Sequence, residues 1–190
     1  MQRTECTLGI LAGGPGKRAG ARDKGLMVVD GRLLIERTIQ QQGDIFAEVL
    51  ACCRDNAHVY RHFSDRVFCE FRAGEGPLLG LAALLAATET PLLAVVPCDQ
   101  LVLPTCWLNT LMDNLPDGAA GVLLGDAGRH TPVGLWRTRA ARNLVDALVT
   151  QGVRALGALA RDASVGLAEA PGSGRDADTI ADLQGERRPR

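Results

Sequence analysis

Apolar runs of strand length alternate with helix-spaced patterns along the 190-residue chain. Thr7 to Leu11, stopped by Gly13-Gly14, reads as a buried strand, and Val49 to Cys53 and Val67 to Cys69 read as two more. Leu92 to Val96 is apolar at every position, the pattern of a strand covered on both faces. Gly121 to Leu124 and Val133 to Trp136 complete the strand candidates. Between them lie helix patterns. Leu33 to Gln42 follows the first loop, and Pro77 to Thr88 opens on proline and is apolar nearly all round, so it is expected to be buried. Leu108, Leu111, Met112 and Leu115 share one helical face, as do Ala141, Leu144, Val145 and Leu148, with Gly152 as the stop. Thr179 with Asp182 resembles a capping box that opens a short last helix. The alternation predicts an α/β fold with a mainly parallel sheet. It predicts one domain over 1–184, a flexible loop at Pro171 to Gly174, and a frayed basic tail over 185–190.

A hydrophobic content of 46% excludes bulk disorder. A net charge of −1 supplies no field for nucleic acid or an anionic membrane, so neither is expected as a partner. The longest apolar stretch, Leu78 to Ala87, holds Gly80 and falls short of a membrane span, and the run near the start is too short for a signal sequence. The six cysteines form neither C-x-x-C nor a Cys/His cluster. The expectation is a cytoplasmic protein with free thiols.

Charge then singles out one segment. Lys17 and Lys24 are the only lysines among 21 basic residues, and both fall in the glycine-rich stretch between Leu11 and Leu26. Glycines let backbone N–H groups approach an anion closely. Lys17, Arg18, Arg22 and Lys24 stand there against Asp23, a balance suited to a polyphosphate. A Walker A loop is excluded, because Arg18 follows Gly16-Lys17 and Leu11 stands at the first glycine position. Gly14, Gly16 and Ala19 match a dinucleotide fingerprint, but the second strand ends near Cys53, too far on for its acidic partner. The dinucleotide reading is therefore disfavoured, and a sugar-nucleotide-type transferase loop and a solvated turn stand beside it.

Pro97-Cys98-Asp99 follows the apolar run Leu92 to Val96. A carboxylate at the carboxyl end of a parallel strand faces the ligand crevice of an α/β sheet. As a hard oxygen donor it suits Mg²⁺ held with phosphates, and it equally suits the cap of a turn.

Leu11-Ala12-Gly13-Gly14, Arg18, Gly20 and Asp23-Lys24-Gly25-Leu26 together resemble the signature of GT-A-like nucleotidyltransferases, and within them most resemble the molybdenum cofactor guanylyltransferases. Gly31-Arg32-Leu33-Leu34, Gly76-Pro77-Leu78-Leu79-Gly80 and Pro97-Cys98-Asp99 are similar to further motifs of that family. The resemblance covers nearly the whole chain and is loose after 125. It implies a three-layer nucleotide-diphospho-sugar-transferase-like fold, with a mostly parallel, mixed sheet flanked by helices. It implies transfer of GMP from GTP to the terminal phosphate of molybdenum-bound molybdopterin. Arg18, Lys24 and Asp99 are then the catalytic residues, and Asp99 is also the Mg²⁺ ligand. Leu11, Ala12, Gly13, Gly14, Lys24, Glu70, Gly76 and Asp99 are implied at the nucleotide, and molybdoenzyme maturation chaperones are implied as partners. Arg129 at the acceptor site is weighed against a surface turn, and Asp176 and Asp178 at the acceptor or the metal against the start of a helix. The departures are Ala19 for methionine, Glu70 for aspartate, and Asp176 and Asp178 for asparagines. They keep alternatives open: cytidylyl or other nucleotidyl transfer to molybdopterin or to a sugar or lipid phosphate, and a nucleotide-binding module without turnover.

Overall fold

The computed structural model describes residues 5–12, 15–16, 22–29, 31–42, 45–69, 76–100 and 103–171. Seven strands form one sheet: β1 (Cys6–Leu11), β6 (Val49–Cys53), β7 (Arg66–Cys69), β8 (Leu92–Pro97), β9 (Gly121–Asp126), β10 (Arg129–Arg137) and β11 (Val165–Glu169). Four two-residue strands, β2 (Pro15–Gly16), β3 (Arg22–Asp23), β4 (Val28–Val29) and β5 (Arg32–Leu33), pair as two small ladders after β1. The helices are α1 (Leu34–Gln42), α2 (Ala57–Tyr60), α3 (Pro77–Ala87), α4 (Trp107–Asp113) and α5 (Thr138–Thr150).

The sheet order is β11-β9-β10-β8-β1-β6-β7. β8, β1, β6 and β7 run parallel, and β11 runs parallel to β9. β10 alone is antiparallel, inserted between β8 and β9. The sheet is therefore mixed and mostly parallel, as the resemblance implies. Two-residue periodicity sorts its side chains. Leu8, Ile10, Ala51, Cys53, Ala94 and Val96 pack with Ile35 of α1, Tyr60 of α2 and Leu111 of α4 on one face. Leu50, Cys52, Leu93 and Val95 pack with Leu78, Leu81 and Leu84 of α3 and Val145 of α5 on the other. Strands that bury both faces read as unbroken apolar runs, which is why β1, β6 and β8 stand out in sequence.

α3 is fastened at both ends. The Leu78 N–H donates to the Arg154 carbonyl at 3.1 Å. At the other end the Arg142 guanidinium donates to the carbonyls of Leu85 and Thr88, at the last turn and the C-cap of α3.

Three differences from the sequence expectation stand out. β10 starts at Arg129, because Thr131 Oγ1 donates to Leu124 O and carries the strand past a register shift between His130 and Gly134. The stretch 129–132, weighed as an acceptor-site loop or a surface turn, thus lies at the start of a strand. β11 was not anticipated, since Val165-Gly166-Leu167-Ala168-Glu169 is a short edge strand with little alternation to mark it. α2, a single turn, was also not anticipated. The expected helix at Thr179 lies outside the described residues.

Candidate active site

Parallel strands deliver the site to one rim. Leu11 ends β1 opposite Pro97 of β8. The ladder then continues beyond the strands: the Cys98 N–H donates to Leu11 O at 2.9 Å, and the Ala12 N–H donates to Cys52 O at 2.7 Å. These two groups of the first loop are thereby committed to the sheet. Leu11 and Ala12 hold the loop's base in place, and their side chains are buried.

The two arms of the loop meet as a short ladder, Pro15 against Asp23 and Gly16 against Arg22. A single 3-10 turn follows over Lys24–Leu26, with Asp23 as its N-cap accepting from the Gly25 N–H at 3.2 Å. From this turn Lys24 reaches across 75 residues of sequence to Asp99, Nζ to Oδ2 at 2.8 Å. Both side chains are mostly buried, at 15% and 19% exposure. The sequence points to these two residues separately, and the fold brings them together.

Asp99 itself sits in the turn after β8. The Thr38 hydroxyl of α1 shares its one proton between Leu34 O at 2.9 Å and Cys98 O at 3.1 Å, tying the helix to that turn. Cys98 is buried beneath the pair. Burial, and secondarily the Asp99 and Asp23 charges, push its thiol well above the ordinary range. It is therefore a neutral floor and not a nucleophile.

Tyr60 was missed in sequence, where it stood between the two exposed histidines His58 and His62. It is fully buried, and its hydroxyl donates to Asp23 Oδ1 at 2.5 Å. Asn56 Nδ2 donates to the second Asp23 oxygen at 3.1 Å. The one sequence signal was composition: Tyr60 is the chain's only tyrosine.

Gly76 is the N-cap of α3 at φ 85°, and a Cβ there would be driven into the Arg154 carbonyl. Arg129 is exposed beside the β9–β10 turn, where Ala127 and Gly128 both have positive φ, and it pairs in register with Asp126. That turn lies on the same rim as Asp99 but two strands along the sheet. Gly13, Gly14, Arg18, Glu70, Asp176 and Asp178 lie outside the described residues.

No group of three His, Cys, Asp or Glu that could hold a metal ion occurs among the described residues. A lone carboxylate fits Mg²⁺ all the same, because that ion takes one or two protein carboxylates and fills its shell from substrate phosphates and water. Asp99, partly open at the rim and next to a cation suited to phosphate, has that chemistry.

Set against known families, residues 8–165 match the MobA-like NTP transferase domain. The chain belongs to this family. A curated relative, molybdenum cofactor guanylyltransferase of Shewanella amazonensis, is 33% identical over 147 residues, covering 76% of this chain and 75% of that protein. Among solved structures, molybdopterin-guanine dinucleotide biosynthesis protein A from Archaeoglobus fulgidus superposes with a TM-score of 0.70 at 19% identity, over 94% of this chain and 95% of that one. A 4-diphosphocytidyl-2C-methyl-D-erythritol synthase from Anaerococcus prevotii gives 0.74 at 11% identity, over 96% and 94%. At such identities the two structures show the shared fold, that of GT-A-like nucleotidyltransferases. The MobA-like chain is a nucleotidyltransferase by family, and no helix among its described residues is long and apolar enough to cross a membrane.

Proposed function

We propose that the protein transfers GMP from GTP to the terminal phosphate of molybdenum-bound molybdopterin, forming the guanine dinucleotide cofactor and releasing pyrophosphate. The observation that carries the reaction type is the Lys24–Asp99 pair at the carboxyl rim of β1 and β8. The choice of substrates is supported by the name of the Shewanella relative and its 33% identity.

In the transfer, an oxygen of the acceptor phosphate attacks the α-phosphorus of GTP. The bond from that phosphorus to the bridging oxygen breaks, and pyrophosphate leaves with the electron pair. The acceptor is already ionised, so the chain needs no strong general base. Its task is positioning and charge compensation. Lys24 turns its ammonium from Asp99 to the phosphate oxygens, which carry growing negative charge, and Arg18 adds a second cation from the loop. Asp99, released from Lys24, would hold Mg²⁺. When bound, that ion supplies charge neutralisation across the phosphates. Without substrate the two side chains compensate each other, so neither charge stands unpaired at the rim. Gly76 gives the backbone a close approach at the start of α3, and Glu70 lies just upstream of it in sequence. Arg129, Asp176 and Asp178 are assigned to the acceptor side.

The test is Mg²⁺-dependent pyrophosphate release with GTP, CTP and ATP, with and without molybdopterin. Release with GTP that depends on molybdopterin is the expected result. Equal release with all three nucleotides, or CTP outrunning GTP, overturns the guanylyl assignment. Binding without release from any of them favours a module that does not turn over.

A further inference from the structure

Asp23 and Lys24 are neighbours in the chain, yet their side chains are held from opposite directions. Lys24 reaches Asp99, while Asp23 is gripped by α2 and the loop before it. Among the described residues three distinct donors surround Asp23: the Gly25 N–H and the Tyr60 hydroxyl on Oδ1, and the Asn56 amide on Oδ2. Asn56 takes left-handed backbone angles, φ 58° and ψ 29°, to present that amide. Asparagine is among the few non-glycine residues that adopt these angles readily, so the position suits the residue that supplies the amide.

We propose that Tyr60, assisted by Asn56, is a positioning residue for Lys24. By fixing the carboxylate that caps the Lys24–Leu26 turn, it sets the backbone from which Lys24 reaches Asp99. The kinetic part of this inference rests on the nucleotidyl-transfer reading, and the geometric part does not.

Three observations support it beyond the hydrogen bonds. A buried tyrosine hydroxyl needs an acceptor, and among the described residues its acceptor is the carboxylate next to Lys24. Burial, followed by Cys98, Asp23 and Cys53, holds the phenol far above its ordinary range, so it stays a donor at any working pH. Gly25 also leaves the room the ring occupies, since a Cβ there would run into the Tyr60 hydroxyl. A lysine side chain loses rotamer freedom when fixed, and a turn held in advance confines that loss to the side chain.

The lysine count makes the test direct. In a Lys17→Arg background, Lys24 is the only lysine left in the chain. Its rate of reductive methylation by ¹³C-formaldehyde is read by mass spectrometry, and the dimethylamine signal by NMR. Tyr60→Phe, Asp23→Ala and Asp23→Asn are compared at a temperature where thermal melts show each fully folded. Tyr60→Phe and Asp23→Ala are expected to methylate Lys24 about fivefold faster, the worth of one hydrogen bond. Asp23→Asn is expected to stay within about twofold, because it keeps an acceptor for Gly25 and Tyr60 while Asn56 turns its amide over. In pyrophosphate release, Tyr60→Phe is expected to lower kcat by a similar factor with little change in KM for the nucleotide. Unchanged Lys24 methylation in Tyr60→Phe, with only a lower Tm, overturns the proposal and leaves Tyr60 as a packing residue. If the unmodified chain releases no pyrophosphate, the transfer reading fails, and methylation still decides the positioning role.

Discussion

The Thr38 hydroxyl donates to the Cys98 carbonyl, and through that bond α1 fixes the turn that presents Asp99. Thr38 is 2% exposed, so no water can take over the bond if the hydroxyl is removed. Thr38→Val leaves a buried carbonyl without this donor. The expected cost is about 1–3 kcal/mol of stability, together with a severalfold rise in the Mg²⁺ concentration that half-saturates activity. Denaturant melts and Mg²⁺ titrations on one preparation check both. A stability loss without any Mg²⁺ effect removes Thr38 from the support of Asp99.

Lys24→Ala is expected to lower pyrophosphate release by about 10²-fold or more, the scale of losing one preorganised charge at the reacting phosphates. Its Tm is expected to fall as well, because removing one partner of a mostly buried ion pair leaves Asp99 uncompensated, so activity is compared at a temperature where the variant is fully folded. Lys24→Arg is the sharper variant. Arginine carries its charge in a planar fork, whereas the mostly buried slot beside Asp99 holds a compact ammonium. Recovery of less than a tenth of the activity is the expected result, and near-normal turnover with arginine would show that charge alone suffices.

Gly76→Ala is expected to cost about 2 kcal/mol, and about 4–8 °C in Tm for a chain of this size. Its φ of 85° disfavours a side chain, and the added methyl would strike the Arg154 carbonyl that also caps α3. A thermal melt within a degree of the parent contradicts this account.

Alkaline pH is expected to destabilise the fold. Burial raises the Cys6 thiol from 9.0 to about 12, and raises the Cys98 thiol and the Tyr60 phenol as well. These groups keep their protons in the folded chain and lose them more readily once it unfolds. Their contribution is therefore complete below pH 9 and falls as pH rises towards the folded values. Tm followed from pH 7 to pH 10.5 should be level at first and then decline from about pH 9. Cys106, exposed and removed from this group, should be alkylated by iodoacetamide in the native state well before Cys6 or Cys98.

What was legible in the sequence follows from what is local. β8 showed itself because six successive residues are nearly all buried, and Asp99 gained meaning from its place directly after that run. The glycine-rich loop and its lysines were legible because their spacing is fixed within a few residues. Tyr60 was not legible. It lies on a four-residue helix too short for periodicity, and its partner is 37 positions away. Nor did spacing reveal that Lys24 rests on Asp99, since only the parallel β1–β8 pairing brings those two turns together. The reversed direction of β10 was equally hidden, because a buried strand has the same apolar pattern in either sense.

β11 runs parallel to β9, and so ends on the rim that carries Asp99. The sheet order puts three strand intervals between β11 and β8, a span of about 14 Å. The carboxyl ends of β1, β8, β9 and β11 thus share one edge of the sheet, and a substrate lying along that edge would meet side chains drawn from both halves of the chain.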